Sequence, residues 1–129
     1  MKLFIALLLS ISVITSFAET KLILTSKLDS KNVPVDNLTG VHFDFKKQYL
    51  MYVFSDDNIA LNTDKLYFEM SAFYPKQNEY IKGETYTVDV EKNNTTSFKE
   101  IKFNAPAKYK IRVYSDTGDL VTKIITVYK

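Results

Sequence analysis

The sequence predicts an all-β fold, an antiparallel sandwich of about seven to eight strands behind a cleaved signal peptide. Three observations carry that expectation. Apolar and polar residues alternate in short runs separated by Asn, Asp, Gly and Pro, the signature of half-buried strands joined by turns. The last 21 residues, YKIRVYSDTGDLVTKIITVYK, set two such runs about an Asp-Thr-Gly-Asp turn, which is a β-hairpin pattern. Nine Tyr and nine Phe, with no Trp, give an aromatic load that fills a sheet core and excludes a disordered chain.

The first residues, MKLFIALLLSISVITSFAET, place Lys2 before an apolar run, and Ser16 and Ala18 are the small residues of a signal-peptidase site. The apolar run is shorter than the roughly 20 residues that span a bilayer. The chain therefore divides into a signal peptide, 1–18, and one domain, 19–129, with no transmembrane anchor in the mature protein. Its expected location is secreted, in the periplasm or the extracellular space. The absence of Cys rules out disulfides, a Cys nucleophile and lipid attachment at the cleavage site. It suits a bacterial envelope protein, as does the richness in Lys, Asn and Ile. Taking Lys2 from the 17 basic residues leaves 16 against 15 acidic ones, so neither nucleic acid nor an anionic membrane is an expected partner.

Residues 21–28 put Leu22, Leu24 and Leu28 on one face and Ile23, Thr25 and Lys27 on the other, as an edge strand would. The stretch 29–40, DSKNVPVDNLTG, is rich in turn formers and reads as a loop crossing from one sheet to the other. Val41, Phe43 and Phe45 then alternate with His42, Asp44 and Lys46, predicting a half-buried strand. The run Asn32-Val33-Pro34-Val35-Asp36 followed by Val41-His42-Phe43-Asp44-Phe45 resembles the opening of bacterial immunoglobulin-like domains. The segment Ala107-Lys108-Tyr109-Lys110-Ile111-Arg112-Val113 is similar to their penultimate strand, with Ala107 where Gly is usual. The resemblance implies a single immunoglobulin-like sandwich and no particular ligand, since that fold hosts many functions.

Tyr49–Ser55, YLMYVFS, is apolar on both faces, which fits a central strand covered on both sides or one whose outer face meets a partner. Asp56-Asp57-Asn58 ends it. In Lys65–Tyr74 the residues Leu66, Phe68, Met70, Ala72 and Tyr74 alternate, while Leu66, Met70, Phe73 and Tyr74 also fit a helical stripe after Thr63-Asp64. Aromatic enrichment and the β surroundings favour the strand. Residues 75–83 are polar and read as an exposed loop. Tyr86, Val88 and Val90 mark a further strand, and 98–103 another with Ile101 and Phe103 inward. In the closing hairpin Tyr109, Ile111, Val113 and Val127 are expected to face the core. The resemblance further implies that Tyr109 bonds through its hydroxyl to nearby backbone.

Catalytic sets are sparse. His42 is the only histidine, and its place in the alternation points it outward with no companion for a triad. The expected function is a non-catalytic binding or interaction module that contacts another envelope or extracellular protein, with no cofactor and no metal. The candidate residues are the outward set of the closing hairpin, Lys110, Arg112 and Tyr114, with Ile124 and Tyr128 beside them, because Arg among aromatics is the composition of a protein-binding face. Edge-strand pairing through 21–28 or the final strand is a second mode of association. The alternative is a small-ligand or metal-binding sandwich. Copper would draw on His42, Met51 and Met70, although both Met residues read as core. Calcium would draw on Asp56-Asp57-Asn58 with Asp64, or on Asp116 with Asp119, which turns also demand.

Overall fold

A computed structural model describes residues 19–55 and 59–129. The expected signal peptide, 1–18, and the strand break expected at Asp56-Asp57-Asn58 lie outside the described residues. Among those described, the regular elements are strands: β1 (Thr20–Thr25), β2 (Gly40–His42), β3 (Tyr49–Ser55), β4 (Lys65–Tyr74), β5 (Glu79–Asp89), β6 (Thr96–Ile101), β7 (Ala107–Ser115) and β8 (Gly118–Tyr128). They form a three-stranded sheet, β1-β3-β6, and a five-stranded sheet, β2-β8-β7-β4-β5. Every pairing is antiparallel except β2 with β8. No helix among the described residues is long and apolar enough to cross a membrane.

Alternation builds the core. Leu22 and Leu24 of β1, Met51 and Val53 of β3, and Ile101 of β6 point inward from the small sheet. Leu66, Phe68 and Met70 of β4, Ile111 and Val113 of β7, and Ile125 and Val127 of β8 meet them from the large one. Lys65–Tyr74 is thus a strand, and the strand pattern outweighs the helical stripe because its even positions bury Leu66, Phe68 and Met70 together. Both methionines the copper alternative invoked are core side chains. At one end Tyr49, Phe103 and Tyr109 cluster, with ring centroids 5.7 and 4.9 Å apart. There the Tyr109 hydroxyl donates to the Ala105 carbonyl at 2.6 Å, the backbone bond that the resemblance implied.

The crossing segment moves between the sheets as expected. Leu38 N–H donates to Leu24 O on the small sheet, and Thr126 N–H donates to Thr39 O on the large one.

Several local readings are corrected. The strand at 41–45 stops at His42 and leaves Phe45 60% exposed. Asp44 turns the chain there: its carboxylate accepts from Lys46 N–H and its carbonyl from Lys47 N–H. The loop expected over 75–83 is a short turn followed by strand, since Asn78 takes a φ of 55° and β5 begins at Glu79. An edge strand solvated on most of its surface shows little apolar alternation. A bulge then slips the register, from Ser71 opposite Lys82 to Glu69 opposite Thr85. Tyr74, expected inward, lies at the end of β4 and is exposed. β1 stops at Thr25, β6 begins at Thr96, and Phe98 points outward.

Candidate interaction face

The central pairing of the large sheet is β4 with β7. It sets Tyr67 opposite Tyr114, Glu69 opposite Arg112, and Ser71 opposite Lys110. Because Phe68, Met70, Ile111 and Val113 point inward, this alternate row faces out. The rings of Tyr67 and Tyr114 stack at 5.0 Å between centroids and 18° between planes. The Tyr67 hydroxyl donates to Asp116 Oδ1 at 3.0 Å, a bond to a carboxylate that pushes the phenol's pKa up.

Arg112 closes the array. Its guanidinium carbon lies 4.3 Å from the Tyr114 ring centroid, within cation–π range. Its Nη1 donates to Asp119 Oδ1 at 2.6 Å and its Nη2 to Glu69 Oε2 at 3.2 Å. The bond to Glu69 is the main cause that holds its pKa above the usual value. Lys82 Nζ is 3.8 Å from the same Glu69 oxygen. A bulge between Val113 and Tyr114 sets Asp119 opposite Tyr114, which brings its carboxylate within reach of Arg112. Further along, Lys110 Nζ lies 4.7 Å over the Tyr80 ring, and Tyr80 meets Phe73 edge-on at 5.2 Å.

Four of the five residues singled out from sequence share this face: Lys110, Arg112, Tyr114 and, opposite Lys110, Ile124 at 43% exposure. Tyr128 is apart. It lies about 13 Å further along β8 at the usual strand rise, where its ring packs against His42 at 5.7 Å. Gly40 makes room for it, since a Cβ there would come within 2.9 Å of the Tyr128 ring. His42 is exposed, as read, with Nδ1 3.4 Å from the Lys129 carbonyl oxygen.

Sequence reasoning missed Tyr67, Glu69, Phe73 and Tyr80. The first two alternate with the inward Leu66, Phe68 and Met70, whose burial dominates the pattern, and Tyr80 falls within 75–83, where polar residues predict a loop. Asp116 and Asp119, weighed for calcium, instead hold Tyr67 and Arg112. Among the described residues no three His, Cys, Asp or Glu side chains gather where they could hold a metal ion.

No protein-family model matches the chain, and no curated protein does. Among solved structures, the crystal structure of an immunoglobulin-like protein from Pseudomonas aeruginosa is similar to it, with a TM-score of 0.56 at 10% sequence identity. The match covers 87% of this chain and 97% of that one. At that identity the likeness defines the class by fold alone: the chain is an immunoglobulin-like β-sandwich.

Proposed function

We propose that the chain is a secreted, non-catalytic binding module of the periplasm or extracellular space, which holds another envelope or extracellular protein against the outer face of its five-stranded sheet. The observation that supports this most is the ordered row of Tyr67, Tyr114 and Arg112, with Lys110, Tyr80 and Ile124 continuing it. Rigid aromatic area on a sheet binds at low entropic cost, because the rings are already fixed before a partner arrives. Both arms of Arg112 are engaged by Glu69 and Asp119. In this reading Arg112 therefore positions the rings, and the rings with Lys110 and Ile124 make the contact.

The test is capture of envelope proteins by the exported chain after cross-linking in the cell, comparing the natural protein with Tyr67→Ala combined with Tyr114→Ala. The expected result is loss of a specific cross-linked partner from a chain that still folds cooperatively, its melting temperature lowered only by the lost stacking and the lost Tyr67–Asp116 bond. Undiminished capture would remove this face from consideration.

A further inference from the structure

We propose that one end of the sandwich docks on the surface of an anionic phospholipid bilayer, with Phe45 entering the headgroup layer and the lysines around it meeting lipid phosphates. The near-equal totals of acidic and basic residues conceal a division between the two ends of the molecule. Three connections close the end where β2, β4 and β6 finish: 43–48, 75–78 and 102–106. They carry Lys46, Lys47, Lys76 and Lys102, all exposed, against Asp44. The crossing segment adds Lys27 and Lys31 against Asp29 and Asp36, which leaves the balance unchanged, as do Glu79 and Lys108 near the starts of β5 and β7. At the opposite end the described connections, 59–64, 90–95 and 116–117, carry Asp64, Glu91 and Asp116 against Lys92. Charge separated in this sense turns the lysine end toward an anionic surface and the acidic end away from it.

The cations gather on an apolar tip. Phe45 projects where the Asp44 turn ends the strand, 60% exposed. Lys46 Nζ lies 5.8 Å and Lys102 Nζ 5.9 Å from the centroid of its ring, and Lys47 Nζ lies 5.4 Å from that of Tyr49. None of these three lysines, nor Lys76, forms an ion pair with a described residue. Asp36 attracts Lys47, so Lys46 and Lys102 are the cations left to an outside anion. The carboxylate of Asp44 is taken up by Lys46 N–H.

The ring decides what kind of anion this is. An acidic protein or polysaccharide would need the lysines alone and would leave Phe45 in water. A bilayer interface takes both parts: the ring lies at the boundary of headgroups and acyl chains while the ammonium groups stay among the phosphates. Tyr74 and Tyr128, exposed at the ends of β4 and β8 on the same side of the molecule, have the apolar body and polar tip that suit the headgroup level. One inserted ring with a few lysines makes a reversible attachment, comparable with the roughly 10⁴ M⁻¹ of a single myristoyl chain. It leaves the outer face of the five-stranded sheet open, so this docking and the partner binding proposed above stand or fall separately.

The experiment is co-sedimentation of the exported, processed protein with vesicles of phosphatidylglycerol mixed with phosphatidylcholine, or of phosphatidylcholine alone, at about 20 mM and about 500 mM salt. Binding is expected to the mixed vesicles at low salt, and weaker by at least about tenfold at high salt or on phosphatidylcholine alone. Lys46→Glu with Lys102→Glu, and separately Phe45→Ser, should each weaken it at least about tenfold, while Lys92→Glu at the acidic end changes it by less than about twofold. All four side chains are exposed, and a melt of each variant checks its fold. Because the chain has no Trp, Phe45→Trp reports insertion directly: its emission should shift to the blue with the mixed vesicles and stay unmoved with inorganic phosphate. Absence of binding at low salt overturns the proposal, as does equal binding to phosphatidylcholine. So does binding that survives Phe45→Ser, which would mark a contact with polyanions in general, or an equal loss in Lys92→Glu. An unmoved Phe45→Trp emission on bound vesicles overturns it as well.

Discussion

Arg112 and Glu69, 43 positions apart in the chain, meet across the β4–β7 pairing with Nη2 3.2 Å from Oε2. The Glu69 side chain is 16% exposed and that of Arg112 35%, so the carboxylate is the more buried partner and the one with more to lose. Arg112→Met keeps the alkyl packing and leaves Glu69 only Lys82, at 3.8 Å. The expected loss is about 1–2 kcal/mol by urea denaturation at neutral pH, an uncompensated carboxylate discounted for the pair's contact with solvent. Glu69→Gln added to Arg112→Met should recover most of it. Additive losses, with the double variant losing as much as Arg112→Met and Glu69→Gln do together when made singly, would show that the two side chains are not coupled.

Asp36 ties the crossing segment to the end of β1. Its Oδ1 accepts from the Thr25 hydroxyl at 2.7 Å and from Ser26 N–H at 2.8 Å, and its Oδ2 accepts from the Ser26 hydroxyl at 2.7 Å. Burial pushes the carboxyl pKa up, but the bonds from Thr25 and Ser26 outweigh it and hold the group below 3.8. A carboxyl with a depressed folded pKa contributes stability above its unfolded pKa and loses it as pH falls through the folded one. Asp36→Asn is therefore expected to cost about 1 kcal/mol at neutral pH and almost nothing near pH 2. Thermal melts of both proteins across that range check it. A gap that stays constant with pH would mean that the charge plays no part.

What the sequence made legible was local. Ile111, Val113 and Val127 declare their direction by alternation, and all three are buried. Phe45 followed the same pattern and is exposed, because the Asp44 turn breaks the strand before the pattern can be used. For β5, an edge strand with a bulge at Gly83 and Glu84, the pattern was weak from the start. The interaction face was half legible for a different reason. Strand alternation shows that Tyr114 points outward, but its stacking on Tyr67 depends on the register of two strands far apart in the chain. Nothing within either strand fixes that register. The run YLMYVFS did announce an apolar outer face on β3, while a groove beside it needs Val33 and Pro34, which arrive from the crossing segment.

Lys123 breaks the alternation of β8 from the inside. It stands opposite Ile111, in the row that carries Ile125 and Val127 into the core, and its Nζ donates to Asn37 Oδ1 at 2.6 Å. Burial pulls its pKa below 10.5. For a base this means that folding disfavours the charged form: the cost is present at neutral pH and is relieved as pH rises through the folded pKa. Met has nearly the same length and no charge to desolvate, and Asn37 is exposed, so its amide returns to water. Lys123→Met is therefore expected to raise the melting temperature at neutral pH by about 2–4 °C, a gain kept small by the lysine's remaining solvent contact. The gain should shrink in alkali as the natural protein sheds the proton. A lower melting temperature for Lys123→Met at neutral pH would instead show that the bond to Asn37 outweighs the burial of the charge, and would make Lys123 a clasp between β8 and the crossing segment.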